Sequence, residues 1–178
     1  MFANKPNRII PLVLIFLLAF ALRTYQLTEI PPGLTHDEAN HGREAMGVLD
    51  GVLLYYFPLN YGSEPLYSYV VAGSMALLGE NLLALRYVNV LFGVLVIAAA
   101  YHWSRRAFNH PAAVLTALFI AISFWPVASS RQALRAGLLP LATMLMVILF
   151  WEIFKRKLVL SEVEVDAKKK LVRFLVYG

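Results

Sequence analysis

Pro65-Leu66-Tyr67-Ser68-Tyr69-Val70-Val71-Ala72-Gly73-Ser74-Met75-Ala76-Leu77-Leu78 is a charge-free run of 14 residues. Whether it crosses a bilayer decides how the chain folds. A helix needs about 20 apolar residues to cross a hydrocarbon core of about 30 Å. A run this short suits an interfacial or re-entrant helix instead. The membrane is the right frame because the chain is 60% hydrophobic and only 15% charged. A soluble domain averages about 45–50% apolar and about 25% charged.

Four other segments have the length to span: 9–27, 85–103, 111–128 and 136–154. The fold class expected is therefore an all-α multi-pass transmembrane protein. If 65–78 stays on one side, Lys5, Arg8, Arg105, Arg106, Lys155, Arg156, Lys157, Lys168, Lys169, Lys170 and Arg173 share the N-terminal side. Arg43, Arg86, Arg131 and Arg135 face the other side, and Arg23 lies in the first span. If 65–78 crosses, the bias reverses. Cytoplasmic loops hold the excess of Lys and Arg, so the first topology is preferred. The N-terminus is then cytoplasmic, and 28–84 is one large external loop at the plasma membrane.

The net charge of +5 does not indicate nucleic acid, because the basic residues cluster between apolar segments rather than along one groove. With no cysteine there is neither a disulfide framework nor a thiolate metal site. The first span lacks a small-residue cleavage pattern and reads as a retained anchor. Residues 155–170 read as a cytoplasmic basic loop. Residues 171–178 read as the start of a further span, which makes 1–154 the N-terminal module of a longer protein.

The external loop contains seven of the eleven acids: Glu29, Asp37, Glu38, Glu44, Asp50, Glu64 and Glu80. Ionisable groups held at a membrane are functional candidates by default. After the rigid turn Pro31-Pro32-Gly33, Asp37 is placed to cap a helix over about 38–49. Ala39, Met46, Val48 and Leu49 give this helix a weakly apolar face suited to lying along the interface. Tyr55, Tyr56, Phe57, Tyr61, Tyr67 and Tyr69 form an aromatic belt around the second interfacial helix, 65–78. The plain alternative is a solvated loop in which Asp37 is only a cap.

His36-x-Glu38-x-x-His41 spaces its histidines five apart, so it is not the zinc-protease helix motif. A divalent metal is possible, and no cofactor is certain. Arg131 and Arg135, four apart, form either a fork for a phosphate or a pair of snorkelling interfacial arginines. Arg86 either pairs with Glu80 or reaches the same phosphate. Pro126 and Pro140 fall near span ends, where freed carbonyls meet water or protein.

The ordered set resembles the N-terminal module of the GT-C membrane glycosyltransferases, notably the protein O-mannosyltransferases and the lipid A aminoarabinose transferases. It consists of a first span, Asp37-Glu38, an Arg-Glu-Ala helix and a Pro-Leu-Tyr segment. Leu85-Arg86-Tyr87, Ser104-Arg105-Arg106-Ala107-Phe108 and Ser130-Arg131 follow. The resemblance covers nearly all of 9–154. It implies an inverting transfer of a sugar from a polyprenyl-phosphate carrier to a hydroxyl of a lipid, glycan or protein acceptor on the external face.

By the same resemblance, Asp37 matches the catalytic acid of the first external loop, and 65–78 matches a juxtamembrane helix. Glu38 joins Asp37 in the catalytic pair. Arg86, Arg131 and Arg135 are the candidates to hold the donor phosphate. His36, His41 and Glu64 are the candidates to orient the acceptor. Two departures stand out. Many relatives carry an acid where this chain reads Ser130-Arg131-Gln132-Ala133-Leu134-Arg135-Ala136-Gly137. The chain also reads Ser63-Glu64-Pro65 where Glu-Lys-Pro or a double proline is common. The other functional class considered is a transporter or flippase with the acid loop as its gate. A transporter places ionisable groups near the midplane of its spans, and these spans are nearly bare of them.

Overall fold

In the computed structural model, residues 9–59 and 61–156 are described. The described residues are helical apart from turns and one isolated bridge between Phe57 and Ser63. The helices are α1 (Ile9–Thr24), α2 (His36–Leu49), α3 (Pro65–Leu78), α4 (Leu82–Ala107), α5 (His110–Ile122) and α6 (Phe124–Ser129). A last helix, α7 (Arg135–Arg156), opens with a 3-10 turn over Arg135–Leu138. Among the described residues, two helices are long and apolar enough to cross a membrane, α4 and α7. Lys5, Arg8, the basic loop from 157 on and the segment 171–178 lie outside the described residues.

Two compact units divide the chain, Met1–Ala142 and Thr143–Gly178. In the first, α2 packs on α3, α3 on α4, and α1 on both α4 and α5. One apolar cluster joins α2, α3 and the start of α4 through Ala45, Tyr67, Val71, Met75, Leu85 and Val88. A second joins α1, α4 and α5 through Ile15, Ala19, Ile97, Ala117 and Ala121. Ala113, Ala117 and Ala121, each four apart, are fully buried on α5. Small residues at that spacing let helix backbones approach closely, which is how helices associate where lipid supplies no hydrophobic drive. In the second unit, the described part of α7 exposes Leu145, Met146, Leu149, Phe150, Ile153 and Phe154.

Helix α3 covers the same residues as the apolar run and is 14 residues long. At about 1.5 Å per residue it measures roughly 21 Å, well short of a hydrocarbon core. Helix α4 starts earlier than the expected 85, because Asn81 caps it by accepting from the N–H of Ala84 at 2.9 Å.

The span expected over 111–128 is not one helix. It breaks at Ser123, whose ψ of 137° ends α5 and begins α6. Pro126 has no N–H to give the carbonyl of Ile122. The neighbouring carbonyls are met from another helix: Arg23 of α1 donates to Ala121 at 3.1 Å and to Ile120 at 3.2 Å, and also to Ala19 at 3.1 Å. Arg23 is fully buried. Its charge thus sits at the C-terminal end of α5, where the helix dipole favours a cation.

Close packing around this arginine requires a glycine. A Cβ at Gly93 of α4 would lie 2.7 Å from the Cβ of Ser130 and 3.0 Å from Nε of Arg23, whereas a Cβ at Gly73 of α3 meets nothing within 4 Å. Gly93→Ala should therefore destabilise the protein by about 1–3 kcal/mol, the usual cost of overpacking. Gly73→Ala should be neutral or slightly stabilising. Thermal unfolding in detergent checks the contrast. Equal midpoints for the two variants would contradict the packing.

Candidate active site

The acid pair is split by helix geometry. Neighbouring residues on a helix point about 100° apart, so Asp37 and Glu38 face different surroundings. The helix begins two residues earlier than expected. Thr35, not Asp37, is the N-cap, in a capping box with Glu38. The Glu38 N–H donates to Thr35 Oγ1 at 3.3 Å, and the Thr35 N–H donates back to Glu38 Oε2 at 3.0 Å. Thr35-x-x-Glu38 is the sequence signature of that motif, and it was the readable signal for this start.

Glu38 is fully buried. Its Oε1 accepts from Arg86 Nε at 3.0 Å and from the Ala133 N–H at 2.9 Å. Arg86 Nη2 reaches Oε2 at 3.4 Å. The partner is thus Arg86 of α4, and not Glu80 for Arg86, as sequence proximity suggested. Arg86 is also fully buried, and its remaining N–H groups donate to the carbonyls of Leu27 and Pro31, both at 2.9 Å, and of Gly33. A guanidinium has five N–H donors, and here each has an acceptor. Arg86 has no donor left for a phosphate, and Glu38 has no face open to an acceptor hydroxyl. Glu38 and Arg86, expected at the reacting groups, here form a buried brace between α2, α4, the 27–33 loop and the 131–135 loop.

Burial alone would raise the Glu38 carboxyl. The Arg86 hydrogen bond, the N–H groups of Ala133 and Thr35 and the Arg86 charge outweigh it, and hold the group below the ordinary carboxylate range. The nearby Tyr67 phenol is pushed up, first by burial and then by the Glu38 charge.

Asp37 lies on the outer side of α2. Its side chain is 61% exposed, beside His36 at 80%, with His36 Nδ1 3.6 Å from Asp37 Oδ1. His41 is turned inward. Its Nδ1 lies 3.1 Å from Glu44 Oε2, and both side chains are buried. His36 and His41 are thus separated, and the described residues contain no group of three or more His, Asp or Glu able to hold a metal. The polar residues Glu38, Asn40, His41 and Glu44 line the buried face of α2, while Met46 and Leu49 face outward.

Arg131 is nearly buried and is neither snorkelling nor forked with Arg135. It donates to the carbonyls of Leu22 at 2.8 Å, Tyr25 at 2.6 Å, Gln26 at 3.3 Å and Ile30 at 2.8 Å. These are the open carbonyls at the end of α1 and in the loop that follows. Burial and then the Arg86 charge pull its pKa below the ordinary arginine value. Among the described residues no carboxylate pairs with it. Arg131 and Gln132 are the polar residues in the wall of a cavity of about 380 Å³. Leu22, Ile30, Pro31, Ile122, Phe124, Val127 and Ala128 form the rest of that wall.

Arg135 points elsewhere. Its Nη1 donates to the Gly62 carbonyl at 3.0 Å and to Glu64 Oε2 at 2.9 Å, with side chains 36% and 67% exposed. Asn89 of α4 is a residue sequence reasoning missed. It donates to the carbonyls of Gln132 and Leu134 and so fixes the loop that offers Ala133 to Glu38. Nothing in its local sequence marks it.

A family model described as dolichyl-phosphate-mannose-protein mannosyltransferase matches residues 62–161, more than half of the chain. The matched stretch contains Glu64, Arg86, Arg131 and Arg135, and α2 with Asp37 precedes it. No curated protein and no solved structure matches the chain.

The brace has a pH signature. Glu38 is held below its unfolded range, so its contribution to stability is complete above that range. The contribution is lost as pH falls through the lowered folded value. Glu38→Gln should be less stable than wild type at neutral pH. It should also lose less stability than wild type on acidification. Removing the cation instead, by Arg86→Met, strands a buried carboxylate and should cost about 3–5 kcal/mol. Unfolding midpoints in detergent between neutral and acid pH check both. Parallel pH curves for wild type and Glu38→Gln would contradict the assignment.

Proposed function

The chain belongs to the dolichyl-phosphate-mannose-protein mannosyltransferase family, and from that premise we propose an inverting transfer of a sugar from a polyprenyl phosphate to a hydroxyl acceptor on the external face of the membrane. At family level it is a membrane glycosyltransferase that uses a polyprenyl-phosphate mannose donor. The observation that carries the finer reading is a division of labour within one acid pair. Glu38 is consumed in the brace, and Asp37 stands at the solvent surface one residue away.

The acceptor hydroxyl must lose its proton as it attacks the anomeric carbon. An exposed carboxylate within hydrogen-bond reach performs that as a general base. Asp37 takes this role, with His36 oriented beside it. One carboxylate suffices for inversion, because the acceptor hydroxyl attacks directly and no glycosyl-enzyme forms. The leaving group is the polyprenyl phosphate, whose negative charge grows as the bond breaks. Arg86 and Arg131 carry two positive charges against the single negative charge of Glu38. The balance leaves net positive charge at the wall of the apolar cavity, where a low dielectric strengthens its pull on an anion. The cavity suits the first isoprene units of the carrier.

Arg135 is the residue that would bind the donor phosphate directly. Its exposed pair with Glu64 is of the kind worth only about 0–1 kcal/mol, so a phosphate displaces it readily. Residues 28–84 face outside with α3 along the interface, and the four spans contain α1, α4, α5 with α6, and α7.

The natural absence of cysteine makes the topology simple to check. Tyr55 and Phe108 are both exposed. Tyr55→Cys should react with an impermeant thiol reagent in intact cells, and Phe108→Cys should react only after permeabilisation. The reverse pattern would overturn the topology and the reading with it.

Asp37→Asn removes basicity while keeping shape, and Thr35 continues to cap the helix. Transfer should fall about 10²–10⁴-fold, the usual range for loss of a general base, with an unchanged unfolding midpoint. The assay is sugar transfer from a polyprenyl-phosphate donor by the purified protein. Wild-type turnover in Asp37→Asn would remove Asp37 from the chemistry.

A further inference from the structure

Four polar side chains meet in a buried cluster that the transfer mechanism leaves unused. Glu44 lies on the inward face of α2 and is almost fully buried. Its carboxylate accepts from Ser68 Oγ of α3 at 2.6 Å and from Ser63 Oγ at 3.1 Å, and meets His41 Nδ1 at 3.1 Å. The His41 ring stacks edge-on against Tyr67, with centroids 4.9 Å apart. A buried carboxylate is costly unless its lone pairs are filled, and here two hydroxyls and an imidazole fill them.

Ser63 is the informative member. It is buried, and its backbone pairs in both directions with Phe57, at 2.9 and 3.1 Å. The residues on either side of it, Gly62 and Glu64, are the two that grip Arg135 Nη1. The polypeptide between the buried carboxylate and the arginine is thus a single residue long. Fixing Ser63 fixes the Gly62 carbonyl and the root of Glu64 together. Arg135 makes no other bond among the described residues, so its direction depends on that segment.

We propose that Glu44 is a positioning residue for the donor phosphate, acting through Ser63 on Arg135. The proposal rests on Arg135 being a phosphate ligand, as argued above. Glu44 touches neither sugar nor phosphate. It sets the angle at which the 62–64 segment presents the guanidinium, and the His41 contact keeps the carboxylate turned toward Ser63. A cluster that merely stapled α2 to α3 would leave donor binding alone once the protein had folded.

The test uses the complete membrane protein and a synthetic polyprenyl-phosphate mannose donor, and reads kcat, donor KM and the unfolding midpoint. Glu44→Gln keeps the shape but loses an acceptor. It should raise donor KM about five- to tenfold, the scale of one hydrogen bond, with kcat within about twofold. Ser63→Ala cuts the link while Ser68 and His41 still hold the buried carboxylate, and should raise KM in the same way. Ser63→Thr retains the hydroxyl and should restore it.

Neither Glu44→Gln nor Ser63→Ala should raise KM further in an Arg135→Gln background, because residues acting through one group are non-additive. Should Glu44→Gln fold poorly, Ser63→Ala and Ser63→Thr decide alone. Unchanged donor KM in Ser63→Ala, or effects that multiply with Arg135→Gln, would overturn the positioning role while leaving Arg135 a phosphate ligand. Unchanged KM in Arg135→Gln by itself would overturn the phosphate assignment, and the proposal with it.

Discussion

The buried ion pair between Glu38 and Arg86 is the constraint on which the first unit depends. It joins residues 48 apart in sequence, and each partner has further bonds that tie in another segment. Glu38 receives the Ala133 N–H, and Arg86 collects three carbonyls of the 27–33 loop. Neither charge can be removed alone without stranding the other in a dry interior. The pair therefore specifies one arrangement of α2, α4 and two loops. Helix geometry does the rest: with Glu38 locked inward, Asp37 is turned outward.

A second regularity is the use of arginine to satisfy backbone. Arg23 takes the carbonyls left open where α5 breaks, Arg131 takes those at the end of α1, and Arg86 takes those of the loop that follows. In a membrane an unpaired carbonyl costs several kcal/mol. A flexible side chain with five donors can close several at once. Irregular chain is tolerated at these points because a guanidinium closes it. Arg131, one of these three, also stands in the wall of the apolar cavity.

Much of this was written in the sequence at the level of segments. The ends of α3 follow from Pro65 and from the apolar run that stops at Gly79. The membrane class follows from composition, and the family from the ordered motifs between Asp37 and Ser130. The break at Ser123 was less legible. Pro126 was visible, but the hydrophobic run continues through it and nothing local says that Arg23 will receive the carbonyls. The roles of Glu38 and Arg86 were illegible for a deeper reason. Which carboxylate an arginine finds depends on how α2 packs against α4, and Glu80 was nearer along the chain. Thr35 as the cap was an available signal, outweighed by the prominence of the acid pair. Asn89 has no local signature, because its partners are carbonyls more than 40 residues away.

The account is tested most directly by an experimental structure of the protein holding a polyprenyl-phosphate sugar donor. The phosphate should lie against Arg135, with Glu64 displaced, and the first isoprene units should lie in the cavity beside Arg131, Phe124 and Val127. The Glu38–Arg86 pair should be intact, and Asp37 should face the anomeric carbon from the side opposite the phosphate. A phosphate bound to Arg86 with Glu38 swung out to the sugar would contradict the account, because the brace would then be the site.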